Sequence, residues 1–67
     1  MGKAVKDYYR INESVLVEMV EEKDSDYLRK SLEFYREVKE RDVELLSPKQ
    51  LTWLSKIEDS ISEELSK

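Results

Sequence analysis

The stretch "VELLSPKQLTWLSKI", Val43 to Ile57, decides the fold. Ser47 is a natural helix N-cap, Pro48 falls at the first helical position, and Gln50 falls at the third. This is a capping box of the S-x-x-Q type, with the proline where its missing N–H costs nothing. Leu46 before the cap and Leu51 at the fourth helical position are the two ends of a hydrophobic staple. Leu51, Leu54, Ile57, Ile61 and Leu65 then recur at spacings of three and four, one stripe of an amphipathic helix. A helix from Pro48 to near Leu65 follows.

Upstream, "DSDYLRKSLEFYREVKER" offers Asp24, Ser25 or Asp26 as a cap. Its apolar residues Tyr27, Leu28, Leu32, Phe34, Tyr35 and Val38 fall within roughly 160° of a helical wheel. The pairs Arg29–Glu33, Arg36–Glu40 and Glu37–Arg41 sit four apart and support an exposed helix, by a few tenths of a kcal/mol each. The short link "VELL" then predicts an antiparallel helical hairpin. The first segment reads two ways. "NESVLVEMVEE" suits a helix capped by Asn12 or Ser14, yet Val15, Val17 and Met19 alternate like a strand. A lone strand has no partner in so short a chain, so helix is expected. "KAVKDYYR" extends that helix or forms a separate turn. The expected architecture is an all-α, three-helix domain built on an antiparallel helical hairpin, with an N-terminal helix in residues 1–24, a second helix in 25–42 and a third in 47–65.

Composition agrees. Sixty-seven residues with 39% apolar and 42% charged groups make one domain with a thin core. One Gly and one Pro leave little material for tight turns. Cysteine is absent, which removes disulfides and thiolate chemistry. No apolar run approaches the roughly 18 residues needed to span a bilayer, and no secretory signal opens the chain. A cytoplasmic protein without membrane contact is expected. The net charge is −4 and uneven. Residues 1–10 carry Lys3, Lys6 and Arg10 against Asp7, whereas residues 11–26 carry six acids against Lys23.

Histidine is missing too, so the commonest general base and metal ligand are unavailable. Glu58–Asp59 and Glu63–Glu64 are paired acids, but a helical hairpin offers them no evident cleft, and a solvated helix face explains them. Asp24-x-Asp26 begins like a calcium loop, but Leu28 and the missing central glycine break that pattern. A phosphate-cradling glycine loop is excluded by a chain whose one glycine is Gly2. The expectation is a non-enzyme with no catalytic residue, no metal and no cofactor.

Binding is what remains. Trp53 lies about 90° from the centre of its helix's apolar stripe. There it can close the groove between helices or act as an anchor at an interface. Tyr8 and Tyr9 are adjacent, so both cannot face the core squarely. The expected contact set is Trp53, Tyr8 and Tyr9 as apolar anchors, with Glu18, Glu21 and Glu22 in the acidic segment steering a basic protein partner. A nucleic-acid accessory using Lys3, Lys6 and Arg10 beside the two tyrosines is the alternative. A homodimeric helix pair is a third reading.

The segment "ELLSPKQLTWLSKIEDSI" resembles a pattern found in small proteins of tailed bacteriophages. There a Leu-Ser/Thr-x-Lys-Gln-x-x-Trp-Leu-x-x-Ile helix follows a charged helix such as "YLRKSLEFYREVKER" here. The resemblance spans residues 27–62 and transfers no catalytic residue. It implies an accessory product or inhibitor that binds a host or phage protein, often around DNA metabolism.

Overall fold

The computed structural model describes residues 2–66 as an all-α domain. The helices are α1 (Val5–Tyr8), α2 (Glu13–Lys23), α3 (Asp26–Val38) and α4 (Pro48–Leu65), with a 3₁₀ turn at Val43–Leu45 before α4. α4 begins as its start signals dictate. The Ser47 hydroxyl accepts from the Gln50 N–H at 3.3 Å, and the Gln50 side-chain oxygen accepts from the Ser47 N–H at 2.9 Å. Leu46 is buried and Leu51 is half-buried against the core, as the two ends of the staple require. Of the α4 stripe, Leu54, Ile57 and Ile61 enter the core, while Leu65 at the far end stays exposed.

α3 is capped by Ser25, whose hydroxyl accepts from the Leu28 N–H at 3.5 Å. It buries Leu28, Leu32, Tyr35 and Val38, with Ser31 among them. Tyr27 and Phe34 lie at the edge of that face, the first exposed and the second half-buried. The helix stops at Val38, four residues short of the expected boundary at 42. The cause is tertiary. The carbonyls of Lys39 and Arg41 accept from the backbone N–H groups of Lys6 and Val5, at 3.1 and 2.9 Å. Val43 donates to the Lys3 carbonyl, and Ala4 and Asp42 form an isolated antiparallel bridge. Many helices close on a left-handed C-terminal residue, usually glycine. This one has none to use, and the N-terminal segment supplies the donors instead. Gly2 fits because a side chain there would run into the Asp42 carboxylate.

That engagement also selects, of the two expected readings of "KAVKDYYR", the separate turn over the continuous N-terminal helix of residues 1–24. α1 is a separate turn, residues 9–12 run extended with Ile11 buried, and α2 starts after Asn12. The Asn12 side chain accepts from the Val15 N–H at 3.3 Å. The helix reading of residues 12–20 therefore holds over the strand reading. Leu16 and Met19, three apart, face the core, and the neighbouring Val15, Val17 and Val20 are only half-buried.

α2 and α3 pack antiparallel and approach each other over a longer stretch than α3 and α4 do. Glu13, at the start of α2, takes Arg36 and Lys39 from the end of α3, at 3.3 and 3.1 Å. The Lys39 hydrogen bond does most to hold the Glu13 carboxyl below its ordinary value; burial opposes it, and the Arg36 hydrogen bond and the two positive charges add to the lowering. The expected four-residue pairs along α3 give way to other partners, one within its own first turn and the rest outside the helix. Arg29 reaches Asp24 and Asp26, Arg36 reaches Glu13, and Glu40 takes Lys6 at 2.9 Å. Long side chains choose the nearest carboxylate in space, whether it lies in the next turn of the same helix or on a neighbouring element.

α2 ends on Asp24, the one described non-glycine residue in the left-handed region, with φ 46°. Asp24→Gly relieves that conformation and loses an exposed ion pair to Arg29. It is expected to raise stability by about 0.5–1 kcal/mol. Urea denaturation checks this, and a lower midpoint would mean that the ion pair outweighs the backbone.

Candidate functional site

α1 is too short to carry a stripe, so its two tyrosines divide. Tyr9 is half-buried, packs on the core and donates its hydroxyl to the Leu51 carbonyl at 3.4 Å. Tyr8 is 58% exposed and meets Tyr9 edge-on, with ring centroids 5.0 Å apart. Two grooves share Tyr8 as a wall. The larger, about 460 Å³, has the buried Ile61 and the exposed Leu65 along it, with Arg10, Glu58 and Asp59 at its margin. The Arg10 backbone N–H donates to the Glu58 carboxylate at 2.7 Å, which fastens the extended segment after α1 to α4. The smaller groove, about 300 Å³, is lined by Tyr9, Val43, Glu44 and Leu51 as well as Tyr8. An apolar strip flanked by three acids and one arginine therefore runs along one side of α4.

Trp53 is on the other side of α4. Its indole N–H donates to the Ser31 hydroxyl at 2.9 Å. Its ring lies parallel to Phe34, 3° between planes and 4.3 Å between centroids. The ring is half-buried and packed against the core, so it bridges α3 and α4. The tyrosine beside Trp53 is Tyr27, with which it lines a cleft of about 160 Å³. Trp53 and the Tyr8/Tyr9 pair, expected as one anchor set, thus stand on opposite shoulders of α4.

Glu18, Glu21 and Glu22 all lie exposed on the outer face of α2. At spacings of three and four they form one acidic ridge, opposite the buried Leu16 and Met19. The basic residues of the N-terminus are not one patch. Lys6 is tied to Glu40, whose hydrogen bond and charge raise the lysine pKa and keep it cationic. Lys3 is exposed and anchors the chain through its carbonyl, and Arg10 faces the Tyr8 groove. Among the described residues no group of three or more His, Cys, Asp or Glu is placed to hold a metal. No described helix is long and apolar enough to cross a membrane.

Sequence reasoning missed Leu65 as a groove wall and Tyr27, Lys49 and Lys56 as neighbours of Trp53. For the lysines a signal existed. Lys49, Thr52, Trp53 and Lys56 follow the i, i+3, i+4, i+7 spacing of one helix side. Leu65 carried no such signal, because it continues the core stripe and only the end of the bundle leaves it outside. The class defined so far is a small all-α domain with divided aromatic surfaces. No family model, no curated protein and no solved structure matches the chain.

Proposed function

We propose that the chain is a small, non-enzymatic protein-binding module whose partner docks on the apolar strip around Tyr8. The observation that carries this is the most exposed aromatic side chain among the described residues, 58% exposed, standing between two grooves. Tyrosine, arginine and tryptophan dominate interface energetics, and Tyr8 and Arg10 share the larger groove. The acidic ridge of Glu18, Glu21 and Glu22, with Glu58 and Asp59 at the groove, favours a basic partner through its field. In this reading Tyr8 takes the anchoring role and Trp53 serves the bundle, supported by the inward hydrogen bond of its indole. The resemblance of residues 27–62 to phage proteins adds the identity of a cytoplasmic accessory factor or inhibitor acting on a host or phage protein.

The test is co-precipitation from a bacterial lysate with wild type and Tyr8→Ser. Stability is expected to change by less than about 1 kcal/mol, since Tyr8 lies outside the core. Affinity for the captured protein is expected to fall at least about tenfold. Equal capture by a folded Tyr8→Ser protein would remove Tyr8 from the interface. Sedimentation equilibrium on the same samples separates a foreign partner from self-association through this strip.

A further inference from the structure

We propose that the cleft between α3 and α4 formed by Tyr27, Lys49, Thr52, Trp53 and Lys56 docks an acidic peptide segment of a partner protein. Such a segment inserts one apolar side chain against the rings and lays carboxylates on the two lysines. The site is separate from the Tyr8 strip, on the opposite shoulder of α4, and does not depend on it.

Four observations converge. First, the cleft is lined by two aromatic residues and two lysines, and none of its lining residues is acidic. Second, the ion pairs of the described residues engage Lys6, Lys23, Arg29, Arg36 and Lys39, but neither Lys49 nor Lys56. Third, Lys49 sits in the first turn of α4, where the helix dipole disfavours a cation and no acid compensates it. An incoming carboxylate would meet the ammonium group and the positive end of the helix together. Fourth, the Trp53 N–H is turned inward to Ser31, which leaves the cleft its ring surface and lets the lysines supply the polarity.

Size and charge select the occupant. A volume of about 160 Å³ admits one side chain, whereas a nucleic-acid strand needs a cationic groove along roughly 4–16 nucleotides. A net charge of −4, with the α2 ridge exposed, also opposes a polyanion more than a peptide with two or three carboxylates.

Trp53 is the chain's only tryptophan, so its emission reports on this cleft directly. The full chain is titrated with a short synthetic peptide of leucines flanked by glutamates, with the same peptide carrying lysine for glutamate, and with oligothymidylate. The expected result is a saturable emission change with the acidic peptide alone. Its affinity falls at least about tenfold in Lys49→Glu/Lys56→Glu and is unchanged in Tyr8→Ser. Circular dichroism verifies the fold, and the milder Lys49→Gln/Lys56→Gln pair serves if charge reversal disturbs it. Absence of a saturable change, or equal affinity in the lysine variants, overturns the proposal. A tighter response to oligothymidylate overturns it in favour of nucleic acid. An emission change that depends on protein concentration alone and vanishes in the lysine variants overturns it in favour of a second copy of this chain.

Discussion

Replacing Leu54 with alanine is expected to lower the thermal midpoint by at least about 10 °C and to leave much of the domain unfolded in mild denaturant. Leu54 is fully buried at the centre of the α4 stripe, next to Ile57 and Ile61. Truncating a leucine in such a place costs about 2.7–5 kcal/mol, because the lost transfer energy is joined by a cavity that the surroundings fill only in part. A domain of this length has about 3–10 kcal/mol of stability in all. A single cavity is therefore comparable with the whole margin. Leu45, 79% exposed in the 3₁₀ turn, is the control, and its alanine variant should stay within about 0.5 kcal/mol of wild type. Thermal melts followed by circular dichroism compare the two. Near-identical melting of Leu54→Ala and Leu45→Ala would show that α4 is not seated on the core through Leu54.

Trp53→Ala is expected to be the next most damaging substitution, at about 2–4 kcal/mol. It removes the stack on Phe34 and leaves the hydroxyl of the fully buried Ser31 without its donor. Trp53→Phe keeps a ring on Phe34 and loses only the indole donor, so it should cost less, about 1–2 kcal/mol. Adding Ser31→Ala to Trp53→Phe removes the orphaned hydroxyl as well, and the double variant should be more stable than the sum of the two single effects. Urea denaturation of the four proteins gives the coupling directly. Strict additivity would mean that the Ser31–Trp53 bond contributes nothing. The consequence for function is practical. Loss of a partner in Trp53→Ala confounds unfolding with contact, whereas Tyr8→Ser tests a surface that the core does not need.

Much of this fold was legible in one segment. Ser47, Pro48 and Gln50 act within one turn, so their residue types sufficed to place the start of α4, and the spacing of Leu54, Ile57 and Ile61 placed its buried side. Ser25 and Asn12, each one of the cap candidates the residue types offered, start their helices for the same local reason. The boundary of α3 was not legible. It depends on Lys6 and Val5 donating to carbonyls more than thirty residues away, a contact without local trace. The choice of a separate turn over a continuous N-terminal helix has the same origin.

The candidate site divides along the same line. That one of Tyr8 and Tyr9 must stay outside followed from adjacency, but which one did not. Burial of Tyr9 against Leu51 settles it. The angular offset of Trp53 marked it as a shoulder residue. Its partners Ser31 and Phe34 lie on another helix, and only the packing of α3 on α4 brings them to it. By itself, then, the sequence determined that the chain is all-helical, where its capped helices begin and which faces are apolar, because caps and periodicity operate within a few residues. The tertiary structure alone decided where α3 stops and that the aromatic residues serve two separate surfaces. Those outcomes depend on distances between distant segments, which no local pattern encodes.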